Sequence, residues 1–149
     1  MNRKIRLAWV STYNSRCGLA THSEHLLEYF DRDVFDVTII ANHQEPLGPD
    51  PANLVRLWPD RAGTLALVRD FIRKFDALFV NFHFSLIEVH ELGELLQTAH
   101  QAGIDTYVTL HKTIDTVIDG RPASLSQMPP SLPSGVRFNT ALCFSVCGS

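Results

Sequence analysis

The feature that most constrains the fold is an alternation of two hydrophobic periods between residues 5 and 110. Short apolar runs typical of buried strands are separated by stretches in which apolar residues recur every three or four positions, as on one helical face. Strands that alternate with helices in this way form βαβ units, with parallel strands and helices on both faces of the sheet. The sequence therefore predicts an α/β fold with a Rossmann-like, doubly wound parallel sheet. The apolar runs span residues 5–10, 34–41, 54–58, 77–82 and 106–110.

Two later segments carry the helical period, and Gly103 follows the second of them. A glycine at this place is typical of a helix C-terminus, so the helix is expected to end there. The apolar positions are Leu65, Val68, Ile72 and Phe75 in the segment from residue 64, and Leu92, Leu95, Leu96 and Ala99 in residues 87–102.

The first strand leads into a polar loop, residues 11–18, that ends in Gly18, and residues 19–30 follow with an apolar face. Thr21 and Glu24 have the spacing of a capping box, which predicts a helix start at this point. Free backbone amides at a helix start attract anions, so this unit predicts a phosphate or sugar site.

The patterning stops after residue 120. From residue 122 to the end Arg137 is the only charged residue, while Ser, Pro and Cys become frequent. Residues 141–146 give a faint strand pattern, which would be a sixth strand. We therefore divide the chain into a Rossmann-like domain, residues 1–120, and an irregular tail, residues 121–149. Truncation of a longer protein is the favoured interpretation, and a disordered tail, a shifted reading frame and a natural linker are the alternatives.

Composition excludes several classes of partner. The chain has 149 residues, a net charge of -3 and no run of Lys or Arg, so neither nucleic acid nor an anionic membrane is expected to bind. No apolar stretch reaches the length of a membrane span, and the N-terminus lacks a signal-peptide core. The three cysteines are an odd number without framework spacing, which favours a cytoplasmic location.

Polar residues follow three of the predicted strands. Carboxyl ends of parallel strands meet at one edge of an open sheet, and ligands bind there where the strand order reverses. The sequence thus predicts one site built from separate segments. Its members are the loop of residues 11–18, then Asn81 and His83, then His111, Lys112 and Asp115.

Each candidate also has an ordinary structural interpretation. Gly18 is equally consistent with a backbone turn, and His83 taken alone is better explained as a packed core histidine. For His111, a functional role and an ordinary position in an exposed loop are equally well supported. Asp115 is a residue type that is common in turns and helix caps. Cys17 is equally explained as an ordinary small buried residue, because nothing in the sequence marks its thiol as activated.

Several catalytic motifs are incomplete. His90 and Glu91 begin a helical zinc signature, but Glu94 stands where the second histidine is required. A metal site from His83, His90 and His111 would indicate a hydrolase, which is the third-ranked interpretation, and no metal is expected. The absence of a G-x-G-x-x-G sequence and of a P-loop counts against NAD and ATPase chemistry.

Three segments resemble a known family in order and spacing. Residues 11–21, with Ser23–Leu26 after them, resemble the N-terminal signature of GT-B-fold glycosyltransferases, and the nearest group is the retaining, nucleotide-sugar-dependent family 4. Residues 80–84 resemble that family's fourth-strand segment. Residues 109–115 resemble its Thr-Leu-His segment after the fifth strand.

The resemblance implies the N-terminal, acceptor-side half of a GT-B enzyme that moves a sugar from a nucleotide-sugar donor to a glycan or lipid-linked acceptor. It implies that Gly18, with Cys17 and Leu19, approaches the donor diphosphate, and that His111 acts at the reacting sugar. The cleft residues that it implies are Asn81, His83, Lys112 and Asp115.

The family's second domain, which holds most of the donor, has no counterpart in these residues. We therefore expect the chain alone to be inactive in transfer, with a C-terminal domain as its missing partner and no cofactor beyond the nucleotide sugar. A cytoplasmic location is expected, with attachment to the inner membrane face as an alternative. The competing function is a non-catalytic Rossmann-like domain that binds a small anion or a protein partner.

Overall fold

A parallel sheet of six strands forms the centre of the chain, with helices on both of its faces. The computed structural model describes residues 3–60, 63–111, 116–118, 121–123 and 135–140. In chain order the elements are β1 (Ile5–Val10), α1 (Gly18–Glu28), β2 (Phe35–Asn42), β3 (Leu54–Trp58), α2 (Ala66–Ile72), β4 (Ala77–Phe82), α3 (Val89–Gln101), β5 (Asp105–Leu110), β6 (Thr116–Ile118), β7 (Arg121–Ala123) and β8 (Val136–Thr140).

The strand order is β3-β2-β1-β4-β5-β8, and every neighbouring pair in this sheet is parallel. The chain builds outward from β1 to β2 and β3, then returns to the other side of β1 to add β4, β5 and β8. This reversal places the topological switch point between β1 and β4, where ligands bind in doubly wound sheets. The predicted Rossmann-like α/β class is confirmed.

Alternate residues of β1 serve two separate cores. Ala8 and Val10 pack with the apolar faces of α2 and α3 on one face of the sheet. Trp9 packs on the opposite face with Leu27 of α1, and its ring stacks on Phe79 of β4 at a centroid distance of 4.0 Å. A strand that is buried on both faces needs apolar side chains at consecutive positions, which explains the apolar sequence of residues 5–10.

The predicted faces of α2 and α3 are confirmed, because their apolar positions are buried. Gly103 has a positive φ of 70° directly after α3, in the left-handed region that a glycine adopts readily. The buried positions are Leu65, Val68, Ile72, Phe75, Leu92, Leu95, Leu96 and Ala99.

The predicted capping box is wrong. α1 begins at Gly18 after the N-cap residue Cys17, so Thr21 lies inside the helix and its hydroxyl donates to the Cys17 carbonyl at 3.5 Å. The carboxylate of Glu24 accepts a hydrogen bond from the backbone N–H of Asn14 at 3.1 Å. Glu24 therefore stabilises the loop before the helix, which a local sequence pattern does not distinguish from a cap.

The sixth strand of the parallel sheet is β8, Val136–Thr140, which pairs in parallel with β5. It falls within the segment predicted as an irregular tail, whereas residues 141–146, suggested as a strand, lie outside the described residues. β6 and β7 form a separate antiparallel pair. The division of the chain at residue 120 stays a prediction.

None of the helices in the described ranges has both the length and the apolar character that crossing a membrane requires.

Candidate functional site

Three neighbouring strands deliver polar residues to the edge of the sheet where the strands' carboxyl ends lie, here called the carboxyl edge. Ser11 follows β1, Asn81 is the penultimate residue of β4, and His111 follows β5. The backbone N–H of His111 donates to the carbonyl of Phe82 at 3.2 Å, which continues the β4–β5 ladder by one residue. The sheet itself therefore sets the backbone position of His111 beside the end of β4.

The side chains of Asn81 and His111 are joined by a hydrogen bond between Oδ1 of Asn81 and Nε2 of His111. On its other side, Nδ2 of Asn81 donates to the Ser23 hydroxyl at 2.9 Å and lies 3.4 Å from the Ser11 hydroxyl. Nδ2 also lies 3.3 Å from Nδ1 of His22. Ser11, Ser23, Asn81 and His111, called here the polar network, are each at most 6% exposed.

α1 connects the polar network to the core. The hydroxyl of Ser23 donates to Ser11 at 2.7 Å and accepts a hydrogen bond from the indole N–H of Trp9 at 3.2 Å. Because Trp9 is stacked on Phe79 and fully buried, its indole nitrogen has a fixed position. The orientation of Asn81 is thus determined by contacts that begin in the hydrophobic core.

The imidazoles of His111 and His22 are neutral at this edge because their pKa values are lowered. Burial is the main cause that lowers the pKa of His111 to about 4, and the nearby His22 and His83 lower it further. Burial and the neighbouring His25 also lower the pKa of His22. The His22 and His111 rings meet edge to face at 4.7 Å. At neutral pH both rings therefore serve as uncharged hydrogen-bonding groups rather than as cations.

Buried polar atoms without a hydrogen-bond partner concentrate at the same edge. Buried polar side chains in proteins nearly always have a partner, so such atoms mark places where a ligand or solvent supplies one. In the described part of the chain all five belong to residues that end or follow β1, β2 or β5. They are Oγ1 of Thr12, Oγ of Ser15, Oδ1 of Asn42, Oε1 of Gln44 and Nδ1 of His111.

A surface cavity of about 510 Å³ opens between the loop after β1 and the loop after β2. Two of the unpartnered atoms, on Ser15 and Gln44, belong to residues that line it. Its lining consists of Ser15, Arg16, Gln44, Glu45, Pro46 and Leu47. The cavity combines one guanidinium and one carboxylate with neutral polar groups, a mixture that suits a polar ligand with several functional groups.

An ion pair fixes the two loops relative to each other. Arg56 of β3 binds both carboxylate oxygens of Asp50, at 2.8 and 2.7 Å, and donates to the Asn42 carbonyl at 2.6 Å. The Arg56 guanidinium is the main cause that lowers the pKa of Asp50. Asn14, which has a positive φ of 51°, donates to Asp50 at 2.9 Å. The loop before α1 is therefore tied to β3 through charged groups.

The structure places the predicted donor-site residues at the start of α1. Gly18 is the first helical residue and the partly buried Cys17 precedes it. The side chain of Leu19 packs in the core, so its backbone is the part that can face a ligand. The topology brings this helix start to the carboxyl edge, since α1 follows β1 directly.

The predicted cleft residues divide into three cases. Asn81 contacts His111 directly, as described above. His83 follows β4 at the same edge, where its Nδ1 accepts from the backbone N–H of Ser85 at 3.1 Å, within its own loop. Lys112 and Asp115 lie outside the described residues.

Sequence reasoning assigned no site role to His22 or Ser23, and it included Thr12 only as part of the loop of residues 11–18. Ser23 lies four residues before Leu27, on the side of α1 that packs against the sheet, and it is fully buried. A serine on the core-facing side of an amphipathic helix was the available signal. Which partner that serine meets depends on the neighbouring strands and is not encoded locally.

Within the ranges that the structure describes, no group of three or more His, Cys, Asp or Glu side chains is arranged to hold a metal ion. Comparison with protein-family models, with curated proteins and with solved structures finds no match to this chain. The resemblance to glycosyltransferases therefore rests on the three segments quoted above.

Proposed function

We propose that this chain is the acceptor-side, N-terminal domain of a nucleotide-sugar-dependent glycosyltransferase of GT-B type, which transfers a sugar to a glycan or lipid-linked acceptor. The observation that carries the proposal is the set of five buried polar atoms along the carboxyl edge that have no hydrogen-bond partner in the described ranges. They lie beside the switch point of the sheet and the start of α1. A ligand rich in hydroxyl groups satisfies such a row of separate donors and acceptors.

The chemistry of the edge supports sugar transfer in two ways. A neutral imidazole at His111 forms hydrogen bonds with sugar or acceptor hydroxyls. Because it carries no positive charge, it does not attract anions to the same position. Backbone amides near Gly18 and Leu19 point their positive ends out of α1, where a diphosphate leaving group gathers negative charge during the reaction. Acceptor and leaving group thus have separate partners at one edge.

The expected activity of the isolated chain follows from the same family resemblance. In GT-B enzymes of this type a second domain holds most of the nucleotide sugar. We therefore expect the 149-residue chain to bind a neutral sugar weakly and to transfer none. Detection of nucleotide-sugar-dependent transfer to a defined acceptor by this chain alone would contradict that expectation.

Ligand-observed NMR tests the proposal directly. The probes are methyl α-glucoside, N-acetylglucosamine, myo-inositol, UDP-glucose and GDP-mannose, each added to the wild type and to two variants. We expect at least one neutral sugar to receive saturation from the wild type and from His100→Ala, and to lose it with His111→Ala. His100 is the matched control, because it is exposed in the last turn of α3, at the opposite edge of the sheet.

Circular dichroism and thermal unfolding establish that His111→Ala is folded before its binding is compared. If the folded wild type binds none of these probes, or if His111→Ala binds them equally well, the proposal is wrong.

One observation favours a second candidate, a non-catalytic domain that binds a small anion. Arg16 is exposed and lines the 510 Å³ cavity next to the start of α1. Inorganic phosphate, titrated in the same experiment, distinguishes the two. Binding of phosphate that depends on Arg16, with no binding of any sugar, would favour the anion-binding domain.

A further inference from the structure

The orientation of the Asn81 carboxamide is set by what surrounds its nitrogen. Nδ2 lies within hydrogen-bond distance of the hydroxyls of Ser23 and Ser11 and of Nδ1 of His22, at 2.9, 3.4 and 3.3 Å. The Ser23 hydroxyl donates its proton to Ser11, so towards Asn81 it accepts, and an amide nitrogen only donates. The carboxamide oxygen is therefore the atom that faces His111.

This orientation determines which nitrogen of His111 carries the proton. Oδ1 of Asn81 only accepts hydrogen bonds, so Nε2 of His111, which contacts it, must be protonated. A neutral imidazole has one N–H, so Nδ1 then keeps its lone pair. Burial favours the neutral ring, whose pKa is lowered to about 4. Nδ1 is itself buried and has no hydrogen-bond partner among the described residues.

The opposite arrangement requires several simultaneous changes. With the carboxamide reversed, both His22 and His111 would need an N–H at Nδ1. The Ser23 proton, now donated to Ser11 at 2.7 Å, would also have to turn towards Asn81. In addition, His111 would carry a buried N–H donor with no partner in the described part of the chain, which costs the full desolvation of that group.

We infer that Asn81 is a positioning residue that holds His111 in its Nε2–H tautomer and so presents Nδ1 as a hydrogen-bond acceptor to a ligand hydroxyl. The inference deepens the proposed function, and it rests on that function for the nature of the ligand. The tautomer itself follows from the geometry of Asn81, Ser23 and His111.

The tautomer restricts what binds beside His111. A sulfate, a carboxylate or the dianion of a phosphate monoester offers acceptors alone, so its oxygens would face the lone pair of Nδ1 without a proton between them. A hydroxyl group offers the proton that Nδ1 needs. This end of the carboxyl edge therefore selects a neutral, hydroxyl-bearing group, and any anionic part of a ligand must lie elsewhere, towards the start of α1 or Arg16.

Long-range ¹H–¹⁵N NMR of the histidine rings at neutral pH tests the tautomer without any ligand. In the wild type we expect His111 to show a protonated Nε2 and an unprotonated Nδ1. Asn81→Ala removes the acceptor oxygen opposite Nε2 and should yield a mixture of the two tautomers, whereas Asn81→Asp places a carboxylate beside the ring and should favour a proton on both nitrogens. The ring of the remote His100 serves as the control and should be unchanged in all three proteins.

An Nδ1–H tautomer of His111 in the wild type would overturn the inference. So would an unchanged Nε2–H tautomer in folded Asn81→Ala, because a purely structural role for Asn81 alters stability and leaves the ring protonation alone. If Asn81→Ala does not fold, the wild-type measurement still decides the point, since an Nδ1–H tautomer of His111 in the wild type contradicts the inference.

Adding methyl α-glucoside or sulfate, which carries no proton at neutral pH, to the same samples tests the ligand selectivity. We expect the glucoside to shift Nδ1 of His111 and sulfate to leave it unmoved. A sulfate-induced shift of Nδ1 would overturn the selectivity. Absence of any glucoside shift would count against the proposed function, while the ligand-free tautomer measurement would keep its meaning.

Discussion

Two buried serines of the site have opposite hydrogen-bonding roles. Ser23 is fully buried and exchanges hydrogen bonds with Trp9, Ser11 and Asn81. Ser15 is 5% exposed, and its hydroxyl has no hydrogen-bond partner in the described part of the chain. Leaving a buried polar group without its partner costs more free energy of folding than a typical hydrogen bond contributes. Removal of the Ser23 hydroxyl, which has partners, should therefore affect stability more than removal of the Ser15 hydroxyl.

We predict that Ser23→Ala lowers the free energy of unfolding by about 1–3 kcal/mol, because it leaves the Trp9 indole without an acceptor and removes the nearest acceptor of the Asn81 amide. Ser15→Ala should change it by no more than about 0.5 kcal/mol. Urea denaturation of both variants measures the difference. Equal effects of the two substitutions would contradict the role assigned to Ser23.

His111 provides a second prediction, on pH. Its pKa is lowered from 6.5 to about 4 in the folded protein, so between these values the unfolded chain binds more protons. The stability that the neutral ring contributes is therefore present above pH 6.5 and is lost as the pH falls towards 4. We expect the wild type to lose on the order of 2 kcal/mol between pH 7 and 4.5 from this group.

His111→Gln should lose correspondingly less stability over the same interval, as measured by urea denaturation at the two pH values. His100→Ala is the control and should follow the wild type. A pH dependence unchanged by His111→Gln would show that the ring does not titrate as the structure indicates.

At the level of elements, a buried carboxylate joins α3 to the start of α2. Glu91 of α3 is 8% exposed, and its Oε2 accepts from the backbone N–H of Leu65 and from Arg69, both at 2.7 Å. Arg69 also pairs with the exposed Glu94 at 2.9 Å. Glu91 thus stabilises the free amides of a helix start as well as a cation.

We predict that Glu91→Ala destabilises the protein by about 3 kcal/mol, because it leaves a partly buried guanidinium and a buried N–H without their partner. Glu94→Ala removes a charge from the same Arg69 and should cost less than about 1 kcal/mol, since that pair is exposed. Thermal unfolding compares the two. A larger effect of Glu94→Ala would mean that Arg69 depends on the surface carboxylate instead.

Across the whole molecule the two edges of the sheet differ. At the amino edge Asp76 binds the guanidinium groups of Arg3 and Arg6, at distances of 2.9 to 3.1 Å. The Arg6 hydrogen bonds are the main cause that holds the pKa of Asp76 far below its usual range. At the carboxyl edge, in contrast, buried polar atoms have no hydrogen-bond partner among the residues that the structure describes. The amino edge is thus stabilised by ion pairs, and the carboxyl edge is the one that we propose binds a ligand.

We predict that Asp76→Asn lowers the Tm at neutral pH and leaves sugar binding unchanged. Because the folded-state pKa is depressed, the stabilisation by Asp76 is present above its ordinary pKa of 3.8 and is lost as the pH falls below it. The Tm difference from the wild type should therefore shrink in acid. The exposed Asp70→Asn is the control, and an equal Tm loss there would point to general surface charge instead of this ion cluster.

The sequence by itself determined the fold class and most element positions, because burial imposes a local period that each segment displays. β3 and β4 lie at their predicted residues, and the faces of α2 and α3 are those that the spacing indicated. It also indicated that His111 and Asn81 follow or end strands, which is why both were candidates.

The tertiary structure decided the strand order, the switch point and the polar network. Ser11, Ser23, Asn81 and His111 come from four separate segments, and their hydrogen bonds depend on which strands become neighbours. The failure of the predicted capping box has the same origin, since Glu24 bonds Asn14 ten residues earlier instead of its own helix start. Local patterns report burial and propensity, whereas the partner of a buried polar group is set by packing between distant parts of the chain.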